Sequence, residues 1–208
     1  MWCVTRLTCG VMSNKEDKRY TEETINEIAG HLKEVIRLLG EDVDREGLLK
    51  TPRRAAKALL HNTSGYSQNA DEVLNAAVFT HPGSEIVIVK DIEFYSLCEH
   101  HMLPFYGHVS VGYIPDGKIV GLSKIARVVD VFARRLQVQE RFTDQLCEEI
   151  YKVLPTRGVI VTCEAHHMCM KMRGVEKQDS TTVTMQCRGE FESSELRREF
   201  YNLLRGQK

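Results

Sequence analysis

Two short runs in this sequence gather the residue types that bind metal and move protons. The first is Cys98-Glu99-His100-His101 and the second is His166-His167-Met168-Cys169. Thiolate and imidazole are the soft and borderline donors that zinc prefers. Cys98 and His101 are three positions apart, so one tight turn can aim both at a single ion. His167 and Cys169 are two apart, which on an extended segment places both side chains on the same face. A thiolate and an imidazole from the first run, with a thiolate from the second, make a three-ligand site. Three protein ligands leave the fourth position of a tetrahedral ion for water, the pattern of catalytic zinc. The competing arrangement is a closed structural site, with His100, His166 or Cys163 as fourth ligand. The plainest alternative is that the cysteines are small buried hydrophobes.

The elements that must position these runs follow from apolar periodicity and turn residues. Thr21 caps a helix to about Leu39 that stops at Gly40, with Ile25, Ile28, Ala29, Leu32, Val35, Ile36 and Leu39 as its apolar stripe. Thr51-Pro52 opens a second helix, Thr as N-cap and Pro at the first helical position, burying Ala55, Ala56, Leu59 and Leu60. Arg53 and Arg54 fall in its first turn, where the helix dipole disfavours cations, so each is either solvated or held by an anion. A third helix is predicted over Asp71 to Val78. The texture then changes to strands at Glu85 to Phe94 and Gly107 to Ile114. Pro115-Asp116-Gly117-Lys118 is a turn, and Ile119 to Leu122 a short return strand, which reads as a hairpin. Ser123 caps a helix carrying Ile125, Ala126, Val128, Val129 and Phe132, and another runs from about Glu140 to Val153. Gly158 to Ala165 is a strand that delivers the second ligand run at its end. Thr181 to Phe191 is the last strand and Ser194 to Leu204 a closing helix. Helices, a hairpin, two helices, a hairpin and a helix make an α+β fold with an antiparallel sheet. The expected division is a mobile tail over 1–19, a helical region over 20–80 and a catalytic domain over 81–208.

Composition narrows the function. The chain has 208 residues, 42% of them hydrophobic, enough for one domain with a core and a helical appendage. A net charge of −1 provides no global field for nucleic acid. Seven scattered cysteines, two of them in the ligand runs, suit a reducing compartment and hence the cytoplasm. No apolar run reaches membrane-spanning length, and Met1 to Asn14 lacks the apolar centre of a signal peptide.

In order along roughly residues 20–205, the chain carries Arg45-Glu46-Gly47-Leu48, Thr51-Pro52-Arg53-Arg54, Cys98-Glu99-His100-His101 and Gly121-Leu122-Ser123-Lys124. Gln137-Val138-Gln139-Glu140-Arg141, His167-Met168-Cys169-Met170 and Arg173-Gly174 follow. Taken together these stretches closely resemble GTP cyclohydrolase I. The resemblance implies a tunnelling fold, or T-fold, with helices on one face of its antiparallel sheet and an N-terminal helical extension. It implies a homodecamer of two pentamers, sites built from neighbouring subunits, and room for a regulatory partner.

The same resemblance implies zinc on Cys98, His101 and Cys169. Zinc makes hydroxide available near neutral pH, and C8 of the guanine of GTP is lost as formate, leaving 7,8-dihydroneopterin triphosphate. His167 and His100 carry over as the catalytic proton-transfer groups, His167 serving the purine and His100 the ribose ring opening; the plainer role for His100 is support of His101. Glu140 carries over as the acceptor for guanine N1–H and the 2-amino group, which would exclude adenine, with Gln139 beside it in substrate binding. Arg54, Lys124, Arg127 and Arg173 carry over as the triphosphate cradle, for which guanidinium forks are suited, and Ser123 as a residue near ribose and phosphates. Register after Thr51-Pro52 favours Arg54 over Arg53. Met185-Gln186-Cys187-Arg188 departs from the small polar residues and Gly more usual there. Two other readings compete: a zinc-stabilised binding module without catalysis, and another T-fold pterin or deazapurine enzyme such as a nitrile reductase, which uses a Cys nucleophile and a nicotinamide. The product could feed folate, tetrahydrobiopterin or deazapurine synthesis.

Overall fold

The structure is a computed structural model that describes residues 20–206; the tail expected over 1–19 lies outside the described residues. The described residues form two compact units, divided after Leu60. The first is built on α1 (Glu22–Leu38) and α2 (Thr51–Asn62). Thr21 caps α1, its hydroxyl accepting from the Thr24 N–H at 3.1 Å, and Glu22 and Glu23 complement the positive end of the helix. Ile25, Ala56 and Leu60 bury against Ile28, Ala29 and Leu32, so the first part of the predicted stripe is packed, whereas Val35 and Leu39 at its end are exposed. Arg53 is held within this unit, donating to Glu22 at 2.6 Å and Asn26 at 2.9 Å.

The second unit begins with a 3-10 turn at Ser64–Ser67 and α3 (Ala70–Asn75). Then come β1 (Val78–Thr80), β2 (Val87–Cys98), β3 (Pro104–Pro115) and β4 (Lys118–Val120). Next are α4 (Leu122–Ala133), β5 (Leu136–Gln137), α5 (Gln139–Val153) and β6 (Thr156–His167). The chain closes with α6 (Met168–Lys171), β7 (Thr182–Gly189) and α7 (Ser194–Leu204). The main sheet has the order β5-β2-β3-β6-β7, antiparallel except for the short parallel β2–β5 pairing. The ββααββ pattern is therefore present, with β2–β3 and β6–β7 as its hairpins. No helix among the described residues is long and apolar enough to cross a membrane.

Four local expectations change. Helix α2 begins at Thr51 itself, whose hydroxyl donates to Gly47 O at 3.3 Å, so Thr51 is its first helical residue rather than its cap. The third helix stops at Asn75, and Val78 starts a strand instead. The return strand β4 pairs with β1, not with β3, because β2 and β6 already occupy both edges of β3. Helix α4 starts at Leu122 with Gly121 as its cap, not Ser123; the Gly121 N–H donates to Ala77 O at 2.9 Å, which anchors this start to the β1 side.

Alternation along β6 decides what each sheet face packs on. Val159, Val161, Cys163 and Ala165 join the main core, with Ile125, Val128, Val129 and Phe132 of α4 and Phe142, Leu146 and Ile150 of α5. Ile160 points the other way, to Phe191 and to Phe200 of α7. Thus α4 and α5 share one face as expected, while the closing helix covers part of the other. Gly107 in β3 holds the close approach to β6, since a Cβ there would lie 1.9 Å from Glu164 O.

Where α3 meets α5, Asp71 and Glu149 face each other carboxyl to carboxyl. Burial, then a hydrogen bond and the charge of Asp71, push Glu149 up to about 7, with Lys152 and Arg135 pulling the other way. Asp71 Oδ1 is buried and accepts no hydrogen bond among the described residues. A carboxyl whose folded pKa is raised stabilises the fold fully below its unfolded value, and that contribution is lost as pH rises through the folded value. Stability from this pair should therefore fall between about pH 4.5 and about pH 7. Glu149→Gln, which cannot ionise, should raise the melting temperature at pH 8 and change it little at pH 4. Equal offsets at both pH values would show that the pair has no linked proton.

Candidate metal centre and active site

Cys98 is the last residue of β2, and the turn after it is tied back tightly. The Cys98 N–H donates to Leu103 O at 2.9 Å, and Cys98 O accepts from the Met102 N–H at 2.7 Å and from the His101 N–H at 3.3 Å. Met102 takes φ 53°, a left-handed conformation that is uncommon outside Gly and that lets the turn close within these few residues. The Glu99 N–H donates to Gln137 O at 2.9 Å, and the Arg141 guanidinium binds both Gln137 Oε1 (3.1 Å) and the Glu99 carboxylate. The metal turn is thereby stapled to the α4–α5 connection.

The second run arrives on β6, whose register with β3 sets Phe105 opposite His167 and Tyr106 opposite His166. His167 ends the strand, and Cys169 lies not on extended chain, as the spacing suggested, but in the single helical turn of α6. That turn swings Cys169 toward the first run. The donor atoms of Cys98, His101 and Cys169 all lie within 4.8 Å of one another, and Cys98 Sγ is 3.8 Å from His101 Nδ1. Tetrahedral zinc with its usual bond lengths separates such donors by about 3.5–3.8 Å, so the trio fits with little contraction. The donor chemistry agrees. Burial and the neighbouring Cys98 thiol push the Cys169 thiol up, with Arg173 pulling it down, and a divalent cation between two thiols relieves that cost.

None of the other candidate ligands joins this group among the described residues. Cys163 is buried in the core, and burial pushes its thiol up to about 12. His166 Nδ1 is 3.0 Å from Lys171 Nζ. His100 is exposed, with Nε2 3.8 Å from Glu99 and Nδ1 4.0 Å from Cys98 Sγ.

His167 is half-buried beside the trio. Its ring stacks on Phe105, centroids 4.8 Å apart and planes 2° from parallel, and its Nε2 is 2.8 Å from Gln139 Oε1. Burial holds it below the ordinary imidazole value, and Glu140 pulls it upward. Glu140 is exposed in the first turn of α5, where the helix dipole favours a carboxylate. Gln139, just before it, is 1% exposed with its amide fully engaged.

The structure thus gathers Cys98, His101, Cys169, His167, Glu140 and Arg173 around one end of the β2–β3 hairpin, with His100 on its turn. It does not bring Ser123, Lys124 and Arg127 there. These lie in the first turns of α4, which begins where β3 and β4 end, at the far end of a hairpin roughly 35 Å long. Ser123 and Arg127 are exposed and Lys124 is half-buried. Arg54 is exposed on α2 in the first unit, next to the paired Arg53. Phe105 went unnoticed in the sequence, and Gln137 stood there only as part of a family stretch with no role assigned. Their roles depend on cross-strand register and on a hydrogen bond from a distant turn, neither of which has a local signature.

Comparison with known proteins agrees with this arrangement. Residues 28–205 match the family described as GTP cyclohydrolase I. The GTP cyclohydrolase 1 of Bacteroides fragilis (strain YCH46) is 55% identical over 190 residues, covering 91% of this chain and 98% of that protein. The GTP cyclohydrolase 1 of Porphyromonas gingivalis (strain ATCC 33277) is 57% identical over 183 residues, covering 88% and 95%. That of Dictyostelium discoideum is 51% identical over 195 residues, covering 93% and 84%. A crystal structure of the archaeosine synthase QueF-Like in the apo form is 21% identical, with a TM-score of 0.41 over 50% of this chain and 93% of that one, too distant to carry an argument. The match along most of the chain, over a fold that assembles the Cys98, His101 and Cys169 trio, shows that this chain belongs to the GTP cyclohydrolase I family.

Proposed function

We propose that this chain hydrolyses GTP to 7,8-dihydroneopterin triphosphate and formate, with one zinc ion held by Cys98, His101 and Cys169. The observation that carries the reading is a three-donor group with His167 and Glu140 beside it. A zinc-stapled binding module would take a fourth protein ligand, and among the described residues none joins the trio. When bound, zinc supplies Lewis-acid activation of water at neutral pH.

The protein side chains do the rest. Glu140 accepts from N1–H and the 2-amino group of guanine; adenine offers no such donor pair, so the contact selects the base. His167, whose proton affinity burial lowers and Glu140 raises, moves protons at the purine. His100, exposed on the turn, serves the ribose ring opening. Arg173, Lys124, Arg127 and Arg54 hold the triphosphate, with Ser123 near the ribose and phosphates. Arg53 is already paired with Glu22, which favours Arg54 for this task. The expected division, 20–80 as a helical region and 81–208 as the catalytic domain, moves to residue 60, because α3 packs in the main core through Ala70 and Leu74; Arg54 belongs to the helical region before that point. The free thiols among the described residues, Cys98, Cys147, Cys163, Cys169 and Cys187, suit the reducing cytoplasm.

Ser123, Lys124 and Arg127 stand at the wrong end of the hairpin to serve the metal trio of their own chain. They would serve that of a neighbouring copy. The sheet has edges for such assembly: β5 pairs β2 only at Leu97 and Cys98, and β7 is the other outer strand. A decamer of two pentamers is the assembly we propose.

Three measurements test this. Cys98→Ser should lose most bound zinc and all formate release, because a hydroxyl is a poor substitute for thiolate; full zinc content in a folded variant would remove Cys98 from the ligand set. His167→Ala should keep its zinc yet release formate about 10²–10⁴-fold more slowly, the usual range for a lost general acid or base. Zinc lost from that variant would make His167 a ligand, and unchanged formate release would end its catalytic role. Finally, Lys124→Ala and His167→Ala proteins, each nearly inactive, should regain part of the wild-type rate when unfolded and reassembled together. No recovery in mixed oligomers would mean that each site is built within a single chain.

A further inference from the structure

The polar centre of the second unit is the Gln139 side chain, 1% exposed at the start of α5. Its Nε2 lies 3.1 Å from Cys163 O, 2.9 Å from Thr182 O and 3.2 Å from Thr184 Oγ1. Two of these partners are main-chain carbonyls, which only accept. The amide nitrogen must therefore be the end that faces them, and the orientation of the amide is not a free choice. Thr143 locks the same cluster, its hydroxyl donating to Gln139 O at 2.8 Å and lying 2.6 Å from Thr184 Oγ1.

With its nitrogen committed, Gln139 presents Oε1 to His167 Nε2 at 2.8 Å. A carbonyl oxygen only accepts, so Nε2 must carry the hydrogen. In a neutral imidazole one nitrogen is donor and the other acceptor, which leaves the lone pair on Nδ1. Phe105, stacked 2° from parallel at 4.8 Å, keeps the ring from turning to exchange the two nitrogens.

We infer that Gln139 is a positioning residue rather than a substrate contact: two backbone carbonyls orient its amide, and the amide oxygen fixes the His167 ring with a hydrogen on Nε2. The inference rests on the catalytic reading of His167 for its consequence, but not for its geometry. It also revises the role that the family resemblance implied for Gln139. Its two amide hydrogens are shared among the Cys163, Thr182 and Thr184 oxygens and its oxygen accepts from the imidazole, so at 1% exposure the side chain has no free donor for a ligand. Glu140, the next residue, faces solvent and keeps the substrate role.

Two experiments decide it. Neutron diffraction from deuterium-exchanged crystals of the wild-type zinc-loaded protein should place a deuteron on His167 Nε2, directed at Gln139. An Nε2 without a deuteron would overturn the proposal whatever His167 does in catalysis. Gln139→Met, similar in length but unable to hydrogen-bond, should keep its zinc while kcat falls about tenfold or more, the usual cost of losing a group that orients a working imidazole. KM for GTP should stay within about twofold. A raised KM with unchanged kcat would make Gln139 a substrate contact, and no change in either would also overturn the positioning role. If Gln139→Met does not fold, the neutron result stands alone and still decides the geometry. His167→Ala tests the catalytic reading separately.

Discussion

The convergence of donors far apart in sequence depends on one pairing register. Strand β3 takes β2 on one edge and β6 on the other, in register from Phe105 to Ile114 against β6. The β2–β3 turn holds Cys98 and His101, and the end of β6, opposite Phe105, holds His167 and leads to Cys169. A slip of one residue would turn every β6 side chain to the other face of the sheet. It would put Val159, Val161 and Cys163 on the wrong side of the core and remove His167 from Phe105. The register is held by that core and by Gly107, where any side chain would collide with Glu164 O.

Around this frame the site is tuned by what is buried and what is not. His167 and Cys169 are partly desolvated, and both titrations are moved in the direction burial dictates, the imidazole down and the thiol up. Glu140 and His100 stay exposed on the surface of the site. The polar groups driven into the core beneath them, Gln139, Thr143 and Thr184, find partners in one another and in strand carbonyls. An unsatisfied amide there would cost about 1–3 kcal/mol, so the cluster is either complete or destabilising. Here it is complete, and the Gln139 oxygen is taken by the His167 imidazole.

The same sheet that assembles the metal trio separates it from much of the cationic set. The metal turn and the start of α4 lie at opposite ends of the β2–β3 hairpin, and α4 runs back along it to β5. One copy therefore presents the Cys98, His101 and Cys169 group at one end and the Ser123, Lys124 and Arg127 group at the other.

Residue type and local spacing determined much of this protein. Cys98 with His101, the α1 stripe and its Thr21 cap, the α4 and α5 periodicities and the strand before His167 were all legible, because each depends on neighbours within a turn or two of chain. Segment order was enough to read ββααββ. Tertiary structure decided what local pattern cannot hold. Strand β4 looked like the return of a hairpin, yet it joins β1 because β3 has no free edge. Cys169 reaches the metal group through a single helical turn rather than along an extended strand. Gln139 read as a polar residue beside Glu140, open to substrate; burial against two strand carbonyls turned its amide inward to His167. Whether Ser123, Lys124 and Arg127 share a cavity with Cys98 depends on the length of a hairpin and on where a helix starts upon it, distances that no spacing along the chain encodes.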